Sequence, residues 1–269
     1  WLQTRIGQSA TGYYTPADLF VLLHGGGANG KSTILNGIEM ALGSYHAIVN
    51  DRVLLGTAQR DETMDLLGAR SAWMEALPEG AHLDVIKLKK LVGTKKIKGH
   101  HLYKSEMEWN ASHSLFATSN YRPVVDETDD GTWRRLALVV FSYRYVEEPT
   151  LEHERKGDPQ LRRRVESDQA VHRAFLRWVI EGARTWYEGG EIMPNLPKTV
   201  RDDTDEWRRE VDLIMAFWGD EHLTPATNYA IASEDLLGMF TDSVERQKHH
   251  AWGMKTFAAR FAGHDATKR

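Results

Sequence analysis

Apolar residues along this chain are grouped in short runs rather than in strict alternation with polar ones. Such runs are typical of strands that are covered on both faces of a parallel sheet. Their lengths suit single strands. The runs occupy residues 19–23, 71–75, 114–118 and 136–141. The pattern predicts an α/β fold with a parallel central sheet flanked by helices.

Helical spacing appears directly after the first run and again in the second half of the chain. Ile34, Leu35, Ile38 and Leu42 recur at intervals of three or four, and Gly43 is a suitable stop signal. Further helix-like segments occupy residues 175–182, 207–218 and 233–245. We therefore predict a mostly helical C-terminal region after the sheet.

The segment between the first strand and the first helix reads GGGANGKS from Gly25 to Ser32. It fits the phosphate-binding pattern G-x-x-x-x-G-K-[ST], which joins a buried strand to a helix. Backbone N–H groups and the helix N-terminus would surround phosphate oxygens, Lys31 would reach the β- and γ-phosphates, and the Ser32 hydroxyl would ligate Mg²⁺. The alternative is a glycine-rich turn with a lysine beside it. The predicted nucleotide-binding residues are Gly25, Gly26, Gly27, Ala28, Asn29, Gly30, Lys31, Ser32 and Thr33.

Two later runs end on polar side chains, and open α/β sheets bind ligands at such strand ends. Glu75 could hold Mg²⁺ or polarise an attacking water, and Asn120 could orient that water or touch the γ-phosphate. Each has a simpler alternative: a solvent-side glutamate after a short strand, and an asparagine that starts a turn before Pro123. Glu79 is a weaker acidic candidate.

Residues 87–104 carry seven lysines and two histidines without an acidic residue. Glycines divide the segment, which predicts a helix end at 88–92 and a hairpin at 95–103. A basic hairpin can follow a nucleic-acid backbone without reading its sequence. The alternative is a solvated lysine-rich face. The predicted DNA-binding residues are Lys95, Lys96, Lys98, His100 and His101.

Arg134 and Arg135 precede the last apolar run. Arginine stabilises transition-state charge on a transferring phosphoryl group, often from a neighbouring subunit. Adjacent side chains point in different directions, so at most one of the two is expected to act this way. Surface ion pairs with the upstream acids are the alternative explanation.

Composition limits the class of protein. The formal net charge is −4 and cysteine is absent, which excludes disulfides and argues against a wholly basic nucleic-acid coat. No apolar run approaches a membrane span and no signal-peptide pattern opens the chain, so a cytoplasmic protein is expected. The chain starts at Trp1 without an initiator methionine, and we expect it to be a fragment of a longer polypeptide.

Taken in order, these segments resemble the superfamily III helicases of the phage and plasmid primase-helicase type, related to the poxvirus primase-helicase. The resemblance is carried by the glycine motif, by GARSAWMEALPEG around Glu75, by LKKLVGTKKIKGHHLYK, by FATSNYRP around Asn120 and by DDGTWRRL around Arg134 and Arg135. The methionine before Glu75 departs from the aspartate of many P-loop ATPases.

The resemblance implies a P-loop NTPase fold of the AAA+ type and an ATP- and Mg²⁺-dependent DNA helicase that moves along single-stranded DNA during phage, prophage or plasmid replication. By carry-over, Lys31, Glu75, Asn120 and one of the two arginines are catalytic, and Ser32 with Glu75 holds the metal. It further implies a homo-oligomeric ring, usually a hexamer, and an N-terminal primase region. The implied domains are an ATPase core (1–145), a helical extension (146–206) and a partial winged-helix-like module (207–269).

Two other functions remain open at this point. The chain could be a DNA-binding or assembly module that uses ATP binding as a switch and unwinds nothing. It could also be a P-loop kinase acting on a small molecule, but the basic hairpin and paired arginines would then need separate explanations.

Overall fold

A computed structural model describes residues 1–13, 19–55, 62–100, 105–125, 129–220, 223, 228–246, 252–264 and 267. Its centre is a parallel sheet of five strands in the order β2-β3-β6-β1-β7. These strands are β1 (Phe20–His24), β2 (His46–Ile48), β3 (Ser71–Leu77), β6 (Ser114–Ser119) and β7 (Leu136–Val140). The four apolar runs thus form β1, β3, β6 and β7, as predicted.

Ten α-helices surround the sheet or follow it in the described part of the chain. Before β7 lie α1 (Leu2–Thr11), α2 (Lys31–Leu42), α3 (Val85–Leu91) and α4 (Asp130–Trp133). After it lie α5 (Leu161–Ser167), α6 (Gln169–Glu188), α7 (Lys198–Val211), α8 (Leu213–Asp220), α9 (Ser233–Arg246) and α10 (Met254–Gly263). Among these helices, none is both long and apolar enough to cross a membrane.

Both faces of the sheet are buried, which explains the continuous apolar runs. Successive residues of a strand point to opposite faces. Val21 and Leu23 of β1 therefore join one apolar cluster with α2 and α6, while Phe20 and Leu22 join the other with α3 and α7. The chain leaves β1 through α2 on the first face and leaves β6 towards Trp133 on the second. Such a change of side marks the strand ends where open α/β sheets bind ligands.

Helix α7 packs directly on the sheet. Its Thr204 hydroxyl accepts a hydrogen bond of 2.9 Å from the Leu138 backbone N–H of β7, and Trp207 is fully buried in the core. The helix is continuous across the predicted boundary at residues 206 and 207. It ends at Asp212, whose carboxylate accepts the backbone N–H groups of Ile214 and Met215 and so starts α8. The predicted single helix at 207–218 is therefore two helices.

The C-terminal helices form a cluster of their own around Phe217, Phe240 and Phe257. A buried pair joins them to α7, since His264 and Asp212 lie 2.8 Å apart. From residue 213 onward the described residues contain helices and no strand. The winged-helix assignment and the domain boundaries remain predictions.

Candidate functional site

The glycine motif forms the loop between β1 and α2, at the carboxyl edge of the sheet. Gly30 has a φ of 91°, in the left-handed region that glycine adopts without a steric penalty. Ala28 also has a positive φ, of 59°, which is uncommon for a residue with a side chain. The Lys31 and Ser32 positions open the helix directly after this turn. The strand, loop and helix therefore follow one another as predicted.

Lys31 is folded over the loop and is almost fully buried. Its ammonium group donates to the carbonyl oxygen of Gly25 at 2.6 Å, to Asn29 Oδ1 at 3.0 Å and to Asn120 Oδ1 at 3.1 Å. Burial lowers the pKa of Lys31, because removal from water disfavours the charged form. The structure thus brings together Lys31 and Asn120, which are 89 positions apart in the sequence.

Glu75 reaches this edge through an irregularity in β3. The pairing register between β3 and β6 shifts between Met74 and Leu77, and Ala76 has a φ of 49°. The Ala76 N–H leaves the strand ladder and donates to the Thr118 hydroxyl at 3.0 Å. Bulges of this kind re-aim a side chain near functional sites. Here the bulge follows four buried residues and leaves Glu75 exposed.

One cavity of 730 Å³ collects these groups. Lys31, Ser32, Thr33, Glu75 and Asn120 line it together with the glycine loop. Glu79 lies in the turn beyond β3 and is not part of the lining. A hydroxyl and a carboxylate on the cavity wall are oxygen ligands of the type Mg²⁺ prefers. No cluster of three acidic or histidine side chains that could hold a metal occurs among the described residues.

Sequence reasoning missed several residues around this cavity. Thr118 fixes the bulge that exposes Glu75, and Asn36 and Arg162 contribute to the wall. Arg122 follows Asn120 by two positions in the sequence and forms ion pairs with Glu206 and Glu210 of α7. Thr118 and Arg122 flank Asn120 within the FATSNYRP segment, so the motif itself was the available signal. Arg162 comes from α5, for which no motif gave a signal.

Arg134 and Arg135 lie at the opposite edge of the sheet. The Arg135 carbonyl accepts the Phe20 N–H at the start of β1, whereas the glycine loop follows the end of that strand. Five strand residues separate the two edges by roughly 16 Å. The Arg135 guanidinium also donates to the Gly131 carbonyl. Arg134 is exposed, and its side chain hydrogen-bonds to no described residue. Neither arginine belongs to the described lining of the cavity that holds Lys31.

The basic segment forms a two-stranded antiparallel hairpin of β4 (Lys96–Gly99) and β5 (Met107–Asn110). Its second strand lies beyond the predicted end at residue 103. Lys95, Lys96, Lys98 and His100 are exposed; His101 lies outside the described residues. The segment itself contains no acidic residue, but Lys96 pairs with Glu108 and Lys98 lies 3.2 Å from Glu106. Glu108 belongs to β5, and Glu106 directly precedes that strand.

By sequence comparison, this chain is similar to parts of two viral proteins. It is 26% identical over 210 residues to the "Putative primase C962R" of African swine fever virus, covering 74% of this chain and 22% of that protein. It is 25% identical over 213 residues to the "Putative helicase L207/L206" of Acanthamoeba polyphaga mimivirus, covering 75% of this chain and 22% of that protein. The chain thus spans about a fifth of the length of these relatives. No protein-family model matches it.

The fold has a counterpart among solved structures. The apo structure of the NrS-1 C-terminal region superposes with a TM-score of 0.50 at 10% sequence identity, covering 96% of this chain and 64% of that one. At this identity the likeness concerns the fold alone. Together with the two viral relatives, it confirms the resemblance to the superfamily III primase-helicases that the ordered motifs indicated.

Proposed function

We propose that this chain is the ATPase core of a DNA helicase of the superfamily III type, with a P-loop NTPase fold of the AAA+ kind. The observation that carries the proposal is the convergence of Lys31, Asn120 and Glu75 on one cavity beside the glycine loop. Glu75 lies near the end of β3 and Asn120 directly follows β6, while Lys31 opens α2, the helix that follows β1. Their chemistry matches what hydrolysis of a nucleoside triphosphate requires.

Each side chain has a role that follows from its position. In this proposal the Lys31 ammonium exchanges its carbonyl partners for the β- and γ-phosphate oxygens of ATP. Ser32 and Glu75 would hold Mg²⁺, directly or through water, and Glu75 would also polarise the attacking water. Asn120, already within 3.1 Å of Lys31, orients that water or contacts the γ-phosphate. The bound Mg²⁺ supplies neutralisation of phosphate charge.

The position of the arginines supports an active site shared between subunits. Because Arg134 lies at the sheet edge opposite the glycine loop, it can serve only the site of a neighbouring copy. A head-to-tail interface that places the arginine of one subunit against the ATP of the next closes into a ring. A hexameric ring would also gather six hairpins around one channel for single-stranded DNA. The names of the viral relatives, a primase and a helicase, support a role in replication and a primase region in the parent protein.

Changing Glu75 to glutamine tests the hydrolytic part of this proposal. The amide keeps the shape of the side chain but cannot accept a proton or carry charge, so turnover should fall by about 10²-fold or more. ATP binding should persist, because Lys31 and the loop are intact. Steady-state phosphate release and equilibrium ATP binding measure the two effects.

Glu79→Gln is the matched control, since Glu79 is also exposed but lies off the cavity. It should hydrolyse ATP at the unaltered rate. If the Glu75 variant kept its turnover while the Glu79 variant lost it, the acid would be assigned to the wrong residue.

The hairpin is expected to bind the backbone of single-stranded DNA. Exposed ion pairs such as Lys96 with Glu108 are worth at most about 1 kcal/mol, so phosphates can replace the glutamates. Replacing Lys95, Lys96 and Lys98 by glutamine should weaken binding roughly 10-fold or more and reduce the slope of log K against log salt by about 2. Fluorescence anisotropy of a labelled oligonucleotide at several salt concentrations measures both quantities.

Lys198→Gln is a suitable control for the hairpin variant, because Lys198 is an exposed lysine paired with Asp202 on α7. It should leave affinity and slope as they are. If the triple variant has the same DNA affinity and salt slope as this control, the hairpin does not bind DNA. That result would favour a nucleotide switch without translocation.

A further inference from the structure

A second cavity, of 1130 Å³, lies on the other side of the glycine loop. It shares Ala28, Asn29, Gly30, Thr33 and Arg162 with the cavity that holds Lys31. Its remaining walls come from the carboxyl end of β7 and from the chain that follows it. A molecule bound across the loop would therefore reach both cavities at once.

The walls of this second cavity differ in chemistry from those of the first. They are largely apolar and aromatic, with a few polar groups, which is the usual composition of a site for a flat organic ligand. The apolar and aromatic members include Ile34, Val139, Phe141, Tyr143, Tyr145 and Leu161. The first cavity, in contrast, presents an ammonium group, hydroxyls and a helix N-terminus.

Tyr145 is an aromatic residue of this wall that is joined to the loop by a backbone hydrogen bond. It belongs to β8 (Arg144–Val146), which pairs with β9 (Glu154–Lys156). Its backbone N–H donates to the Ala28 carbonyl at 2.8 Å. A Cβ on Gly30 would lie 3.8 Å from its ring atom Cε2, so the ring lies beside the loop with room for about one methyl group between them. The residue is still 47% exposed, which leaves ring surface open for a ligand.

We infer that the second cavity is the subsite for the base of the nucleotide, with the Tyr145 ring as its stacking surface. This inference rests on the proposed function, because the phosphates must occupy the first cavity for the base to enter the second. A purine suits the site best, since its larger π-face gains more from stacking. The carboxylates of Glu147 and Glu148 on the wall can accept hydrogen bonds from ribose hydroxyls or a base amino group.

Equilibrium binding of Mg²⁺-ATP and of inorganic tripolyphosphate separates the base subsite from the phosphate subsite. Tripolyphosphate carries the same three phosphates without base or sugar. Tyr145→Ala should weaken ATP binding by about 10- to 100-fold, the range measured when aromatic side chains under bases are removed. Its tripolyphosphate affinity should equal that of the unaltered chain.

Two further variants make the result specific. Tyr145→Phe keeps the ring and should bind ATP as tightly as the unaltered chain. Tyr187→Ala removes a tyrosine of α6 with the same exposed fraction of 47%, away from both cavities, and should change neither affinity. Thermal unfolding of each variant verifies that it is folded.

Two outcomes overturn the inference in distinguishable ways. If the unaltered chain binds ATP and tripolyphosphate equally tightly and Tyr145→Ala changes neither, the base subsite is wrong while the phosphate site stands. If the unaltered chain binds neither compound, the proposed function fails and the base subsite fails with it.

Discussion

Replacing Lys31 with alanine is expected to abolish ATP hydrolysis, with a loss of at least about 10²- to 10³-fold in turnover. The ammonium group is the only cation among the described residues that reaches the carbonyls of the loop, at 2.6 Å from Gly25. Its removal leaves the β- and γ-phosphate charge without its main counter-charge inside a partly desolvated cavity, where such interactions are strong. Both the rate of phosphate release and the equilibrium affinity for nucleotide should fall strongly.

Lys31→Arg distinguishes a positioned ammonium group from a requirement for charge alone. The guanidinium group is larger and planar, and Lys31 is only 7% exposed, so the arginine variant should also fail. Each substitution removes the ammonium group that donates to Asn120. Thermal unfolding must therefore show that both variants are folded. Turnover above about a tenth of the unaltered rate in the folded alanine variant would contradict the assignment.

Arg134→Ala is the second change with a large expected effect, a decrease in turnover of around 10³-fold, the scale of arginine fingers. Arg134 is preferred to Arg135, because Arg134 is exposed, whereas the Arg135 guanidinium already donates to the Gly131 carbonyl. ATP binding should remain, since the arginine lies about 16 Å from the loop of its own subunit.

Mixing the two inactive variants tests whether Arg134 acts in a neighbouring subunit. The Arg134 variant supplies an intact Lys31 site, and the Lys31 variant supplies an intact arginine. Random assembly into rings places the two intact halves together at about one interface in four, so up to that share of the activity should return. If subunits exchange and no activity returns, a finger acting between subunits is excluded.

The strands and the glycine loop could be predicted from local sequence because their signals are local. A strand covered on both faces must be apolar throughout, and a turn with Gly30 at a φ of 91° favours glycine. The capping role of Asp212 between α7 and α8 was also visible in principle, since aspartate is a preferred first residue before a helix. The helix-like spacing of apolar residues continues on both sides of Asp212, so the pattern predicted one helix there instead of two.

Other features depend on contacts between distant segments and left no local signal. The bulge at Ala76 is held by Thr118 of the neighbouring strand, and alanine gives no indication of a positive φ. Helices α1 and α6 meet almost backbone to backbone, since a Cβ on Gly182 would lie 2.1 Å from the Gln3 carbonyl oxygen. The pairing of Lys98 with Glu106 depends on the register of the hairpin, which composition does not specify.

Some residues of the candidate site also had local sequence signals, whereas others depend on contacts between distant segments. The glycine motif identified Lys31 and Ser32, and strand ends identified Glu75 and Asn120, because parallel strands present their carboxyl ends at one edge. The separation of Arg134 from that edge follows from its position just before β7, because the starts of parallel strands lie at the edge opposite their carboxyl ends. Tyr145 could not be found from sequence, since its place beside the loop depends on a backbone hydrogen bond to Ala28.

The steady-state rate of ATP hydrolysis by the purified chain, with and without single-stranded DNA and alongside its mass in solution, tests the central claim most directly. The account predicts hydrolysis that single-stranded DNA stimulates, in an assembly with the mass of a ring. An assembled chain that binds ATP but hydrolyses none, whether or not DNA is present, would contradict it.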